Sequence, residues 1–79
     1  AADQGYAQAQ YNLSMIYQFG WGVEKDDKKA QMWFNIARSN GNDTAGEGIE
    51  TLTRRMTPAD ISEAQDMARQ CLASNYQDC

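Results

Sequence analysis

Hydrophobic residues recur at helical spacing in four segments of the chain. The first segment runs from about Gly5 to Phe19 and is followed by Gly20 and Gly22, residues that tolerate the left-handed conformation after a helix. Its apolar positions fall three to four residues apart, which is typical of one buried helix face. We therefore predict a first helix whose buried stripe comprises Tyr6, Ala9, Leu13, Ile16 and Tyr17.

The second segment begins at Asp26 or Asp27, either of which can accept hydrogen bonds from the free amides of a helix N-terminus. It ends at Asn40-Gly41, a pair that favours helix termination. Apolar residues again recur at helical spacing between these signals. The predicted stripe of the second helix comprises Ala30, Trp33, Phe34 and Ala37.

The third segment is weaker because Gly46 and Gly48 each cost roughly 1 kcal/mol relative to Ala in a helix. Its apolar residues are Ala45, Ile49, Leu52 and Met56. The fourth segment has a clear start, since Thr57 can cap the helix and Pro58 fits its first position. The stripe that follows comprises Ile61, Ala64, Met67, Ala68, Cys71 and Leu72.

These segments predict an all-α fold of two antiparallel helical hairpins. Leu, Ile, Val and Phe make only 10 of the 79 residues, but eleven alanines and eight aromatic residues can form a core of closely packed helices. Ala has the highest helix propensity, whereas alternating apolar and polar runs, the mark of strands, are absent from the sequence.

Composition excludes several functions. Without His, neither a Ser/His or Cys/His catalytic pair nor a His-ligated zinc site can form. The net charge is −4 and the basic runs are only Lys28-Lys29 and Arg54-Arg55, which disfavours nucleic acid as a partner. No apolar run has the length of a membrane span. Helix capping and a solvated helix face explain the clustered carboxylates, so we expect no enzyme activity, cofactor or metal.

The first half of the chain resembles a Sel1-like repeat, a family related to tetratricopeptide repeats. The resemblance lies in the stretch from Ala2 to Leu13, in Tyr17, and in the loop and second helix that follow. The matching positions there are Gly20-Trp21-Gly22-Val23, Asp26, Lys29-Ala30, Trp33 and Ala37. Two positions depart from the pattern: Ser14 replaces a Gly that is usual at a close helix contact, and Glu24 replaces a common Pro.

The resemblance implies a right-handed α/α superhelix. Residues 1–41 would be the Sel1-like repeat and residues 42–79 a diverged second repeat or C-terminal cap, together forming one structural domain at the end of a longer array. Such arrays are mainly bacterial non-catalytic scaffolds and adaptors for protein–protein interaction. Two alternatives remain open: a structural cap whose array binds its partner upstream, and a secreted β-lactam-binding or hydrolytic relative.

The resemblance also implies a binding face, because the first helix of each hairpin lines the concave side of the superhelix. The candidate positions are those off the predicted stripe: Gln8, Tyr11, Asn12, Met15 and Gln18. Amides, a ring and a thioether suit the main chain of a protein or peptide partner. Each position is also compatible with ordinary solvent exposure or with a contact between repeats.

The two cysteines, Cys71 and Cys79, lie eight residues apart near the end of the chain. A metal site would need two further soft ligands, which the sequence lacks. A second Cys at the last position has no evident packing role, so we predict a disulfide between the two. A stable disulfide implies a periplasmic or secreted location, and free thiols would imply a cytoplasmic one.

Overall fold

A computed structural model of the chain describes residues 2–77, with side chains described from residue 6 onward. It contains four helices: α1 (Ala2–Phe19), α2 (Asp27–Ser39), α3 (Ala45–Thr53) and α4 (Pro58–Ala73). The described part of the chain has no strand. The predicted all-α fold is confirmed, and the four helices pack in a way consistent with two helical hairpins.

The helix boundaries follow the local signals in the sequence. Asp26 caps α2 by accepting a hydrogen bond at Oδ1 from the Lys29 amide, over 3.1 Å. Thr57 caps α4 by accepting one at Oγ1 from the Asp60 amide, over 3.2 Å. Gly20 follows α1 with φ of +69°, a conformation that residues with a Cβ rarely adopt. The caps at Asp26 and Thr57 satisfy amides that would otherwise have no partner within the helix.

Helix α2 is central and packs against α1, α3 and α4. One of its faces contributes Ala30, Phe34 and Ala37 to a cluster shared with Ala45 and Leu52 of α3, all fully buried. Half-buried residues of α1 and α3 surround this cluster. The predicted stripe of α2 is confirmed there, except that Trp33 is half-buried and packs on another cluster.

The other face of α2 packs against α4. Met32 and Ile36 meet Ala68 and Cys71 in a second buried cluster, against which the half-buried Trp33, Met67 and Tyr76 pack. Met32 and Ile36 were not part of the predicted stripe. Because α2 is covered on two sides, apolar residues occupy most of its circumference, and a search for a single stripe finds only some of them.

The buried face of α1 differs from the predicted one. Ala9 is exposed, and Leu13 and Ile16 are only half-buried. The buried positions are instead Ala7, Gln10, Ser14 and Gln18. Two of these are small, which permits close helix approach, and the hydroxyl of Ser14 donates a hydrogen bond to the Gln10 carbonyl over 2.9 Å. The prediction was wrong because it left out the small and polar residues of this interface, and also Tyr11 and Met15, which pack against the cluster around Phe34.

Helix α3 approaches α2 closely at Gly48. A Cβ at this position would lie 2.8 Å from Cε2 of Phe34 and closer still to Cε1 and Cζ, whereas real Cβ contacts are almost never under 3.0 Å. Gly46, two residues earlier in the same helix, has open space around it. Gly48 therefore admits the Phe34 ring to the core, which explains a residue that is unfavourable for the helix itself.

Candidate functional site

The outer face of α1 presents two amide side chains to solvent. Gln8 and Asn12 are exposed one helical turn apart, and Nε2 of Gln8 donates a hydrogen bond to Oδ1 of Asn12 over 3.3 Å. Beside them is an open depression of about 320 Å³, which Ala7 and Gln8 line from α1. The α2–α3 loop completes it with Gly41, Asn42, Asp43 and Thr44.

The other three candidate binding residues point elsewhere. The Tyr11 ring meets Phe34 edge to face at 5.7 Å, and Met15 packs against the same cluster. Gln18 is only 6% exposed. Our expectation that all five candidates lie off the buried face is therefore wrong for these three, because a period of 3.6 residues places positions 11, 15 and 18 together on the inner side of α1. Gln8 and Asn12 are the two that remain accessible.

An apolar strip lies exposed where sequence analysis predicted core. Tyr6, Ala9 and Leu13 of α1 line a shallow depression of about 210 Å³ together with Gln10 and Trp33. Tyr6 is 51% exposed. The strip is thus the first part of the predicted stripe of α1 turned outward, whereas Tyr17 at the other end of that stripe packs against the cluster around Phe34. An open apolar surface of this kind suits contact with another helix or protein.

A polar network joins α1 to the C-terminal ends of α2 and α4. Nδ2 of Asn40 donates hydrogen bonds to Oε1 of Gln10 over 2.8 Å and to the Tyr76 hydroxyl over 3.1 Å. The Tyr76 ring also meets Tyr6 edge to face at 5.4 Å. No local sequence pattern indicates this network, because its members are far apart in the chain. It fixes the position of α1, and with it the accessible face that carries Gln8.

Charged residues link the start of α2 to the other helices. Nζ of Lys28 lies 3.1 Å from Oε2 of Glu63 and 4.0 Å from Oδ1 of Asp60. The hydrogen bond and the negative charge of Glu63 raise the pKa of Lys28 above its usual value. Arg55 pairs with Asp27 over 3.0 Å. These carboxylates are therefore engaged in exposed ion pairs, an arrangement suited to surface packing and not to acid–base chemistry.

The loop after α1 carries an exposed aromatic pair. The rings of Phe19 and Trp21 stack with centroids 5.1 Å apart, and the two residues are 51% and 60% exposed.

Among the residues described, no group of three or more His, Cys, Asp or Glu side chains could hold a metal ion. No helix within residues 2–77 is long and apolar enough to cross a membrane.

The predicted disulfide involves a residue outside the described range. Cys71 is fully buried in the cluster between α2 and α4, as predicted for the inner stripe of the last helix. Cys79 lies outside residues 2–77. The pairing of Cys71 with Cys79 therefore stays a prediction.

The fold and its accessible surfaces define a class of protein. Helices packed as hairpins around a shared inner helix, with open faces of mixed amide and apolar character, are the architecture of helical-repeat proteins. Residues 7–42, slightly less than half of the chain, match the Sel1 repeat family. The match spans most of α1, the following loop and α2, which confirms the resemblance.

No curated protein matches the chain. Sel1 repeats are generally protein-interaction repeats and are usually non-catalytic. The burial of Ser14 is consistent with its place at a helix contact where the repeat usually has Gly. The assignment of residues 42–79 as a diverged second repeat or C-terminal cap stays a prediction.

Proposed function

We propose that this chain is a non-catalytic interaction module that binds a protein or peptide segment through the outer face of α1. The observation that carries the proposal is the exposed amide pair of Gln8 and Asn12 beside the depression formed with the α2–α3 loop. A side-chain amide both donates and accepts hydrogen bonds, so it can pair with the N–H and C=O groups of a peptide main chain.

The neighbouring apolar strip extends this surface. The half-exposed ring of Tyr6 lies within two residues of Gln8 in the chain and lines the depression shared with Leu13 and Trp33. Interaction surfaces commonly combine an apolar centre containing aromatic residues with polar groups at its edge. A partner with an apolar side chain next to an extended main-chain segment would complement both parts.

A second candidate function is structural. The apolar strip, together with the adjacent Trp33, could receive a neighbouring helical unit of a longer array, in which case this segment acts mainly as a cap. A peptide that binds such an array but not this segment would support that alternative. A peptide that binds both equally would support the interaction role of this segment.

The proposed location of the protein is periplasmic or secreted, and it depends on the Cys71–Cys79 disulfide. We expect both thiols to resist alkylation after equilibration with glutathione down to a poise near about −300 mV, as measured by intact mass. Rapid alkylation of both residues in the folded protein would refute the disulfide and favour a cytoplasmic location.

The interaction role can be tested by selecting peptides from a displayed random library on the immobilised chain. Binding of the enriched peptides is then measured by fluorescence anisotropy for the wild type, Gln8→Ala and Asn12→Ala. We expect each variant to weaken binding about fivefold, because each removes one or two hydrogen bonds at an accessible site.

The matched control is Gln70→Ala, which removes the same exposed amide from α4. It should leave affinity unchanged, and all three variants should fold like the wild type because the substituted side chains are exposed. Failure to enrich any peptide, or equal losses in Gln8→Ala and Gln70→Ala, would contradict the proposal.

A further inference from the structure

A groove runs between α2 and α4, away from the residues proposed above to bind through α1. It is open to solvent and has a volume of about 440 Å³. Helix α2 lines it with Asn35, Arg38 and Ser39, three polar residues on its last turns. Helix α4 contributes the polar Gln65 and Arg69 as well as two apolar residues.

The groove concentrates positive charge in an acidic protein. The net charge of the chain is −4, yet two of its four arginines, Arg38 and Arg69, line this one groove. Arg38 forms no ion pair with any other described residue. Arg69 pairs with Asp66 on its own helix, an exposed pair that stabilises little and can be exchanged for another carboxylate.

A buried amide donor lies beside these arginines. Nδ2 of Asn35 is inaccessible to solvent and has no hydrogen-bond acceptor within the described residues. A buried donor without an acceptor is costly, so a rotation of the Asn35 side chain that brings Nδ2 to an oxygen atom in the groove would gain a hydrogen bond that the protein alone does not form. The chemistry of two guanidinium groups and one amide donor matches a carboxylate.

The groove also has an apolar part, which narrows the class of ligand further. Ala68 and Leu72 provide this surface, and Leu72 is 37% exposed. A free inorganic anion would not use that surface, whereas a peptide with an apolar residue next to an acidic one would use both parts. We propose that the groove binds an acidic peptide segment of a partner protein, with Arg38, Arg69 and Asn35 holding a Glu or Asp carboxylate.

This second interaction surface can be tested by NMR with the isotope-labelled chain. The probe is the doubly capped hexapeptide acetyl-Gly-Leu-Glu-Leu-Glu-Gly-amide, whose only carboxylates are in side chains, and its counterpart has Gln in place of Glu. We expect saturable shifts of the Asn35 side-chain amide and of the Arg38 and Arg69 Nε–H signals with the Glu peptide, and none with the Gln peptide. Arg38→Gln and Arg69→Gln should each weaken binding about five- to tenfold.

The matched control is Arg54→Gln, which removes the same charge from an exposed position at the end of α3 that does not line the groove. Its affinity for the Glu peptide should equal that of the wild type. Equal binding of the Gln peptide, an equal loss in Arg54→Gln, or shifts centred on the Lys28-Lys29 region would overturn the proposal. All three arginines are exposed, so their replacement should leave the fold intact.

Discussion

The contact between Gly48 and Phe34 gives a sharp prediction about stability. Ala is favoured over Gly in helices by up to about 1 kcal/mol, so propensity alone would make Gly46→Ala and Gly48→Ala both stabilising. The structure distinguishes them. A Cβ at position 46 enters open space, but one at position 48 lies within 2.8 Å of three atoms of the fully buried Phe34 ring.

The magnitude follows from the difference between the two sites. Overpacking a tight core costs about 1–3 kcal/mol, and a rigid ring between two helices places this contact toward the upper end. We expect Gly46→Ala to raise the free energy of unfolding by up to about 1 kcal/mol. Gly48→Ala should lower it by about 1–2 kcal/mol, because the overpacking exceeds the gain in propensity.

Urea denaturation followed by circular dichroism measures both changes, provided that the m-values match. In a domain of this size each kcal/mol corresponds to about 4–8 °C in Tm, so thermal unfolding should separate the two variants clearly. Phe34→Leu provides a further check, because a smaller side chain relieves the contact. The loss in free energy of unfolding that it causes should be smaller in the Gly48→Ala background than in the wild type, by more than about 0.5 kcal/mol. Equal stability of the two alanine variants would refute the reasoning.

Three further predictions concern polar contacts. Asp26→Ala should lower the free energy of unfolding by about 1 kcal/mol in urea denaturation. Asp26→Asn keeps an oxygen acceptor, so it should retain most of the stabilisation that the cap provides. Asn40→Ala should cost about 1–3 kcal/mol because Oε1 of Gln10 loses its donor; Asn12→Ala is the exposed control and should change little. Replacing Lys28 by Gln should destabilise the protein slightly at neutral pH. The pKa of Lys28 is raised in the folded state, so the difference in free energy of unfolding between the wild type and Lys28→Gln should be fully present below the usual pKa of Lys and should disappear as the pH rises through the raised value. The same difference should shrink in about 1 M salt.

Local signals in the sequence were sufficient for the starts of α2 and α4. The caps at Asp26 and Thr57 depend on one side chain and an amide three residues later, so the chain carries that information within a single turn. The buried face of α1 could not be found in the same way. Its inner positions include Gln10 and Gln18, and Gln10 is paired through Asn40, thirty residues further along the chain.

In the candidate site too, some features follow from local sequence and others depend on contacts between distant parts of the chain. Exposure of Gln8 and Asn12 follows from helical spacing once the inner face of α1 is known, but that face was misassigned from the sequence. The groove with Arg38 and Arg69 could not be predicted at all, because its two walls come from helices that are distant in the chain and meet through the packing of Met32 and Ile36 on α4. No local pattern encodes such a contact.

The central position of α2 also determines how the molecule opens. Its two faces belong to the two buried clusters, so exposing its backbone amides requires the loss of contacts with both α3 and α4. Amides of α2 should therefore exchange with solvent deuterium only through global unfolding, whereas the outer helices can open separately. The slowest exchange would then fall within the Sel1 repeat, in a helix whose protection depends on residues beyond that repeat.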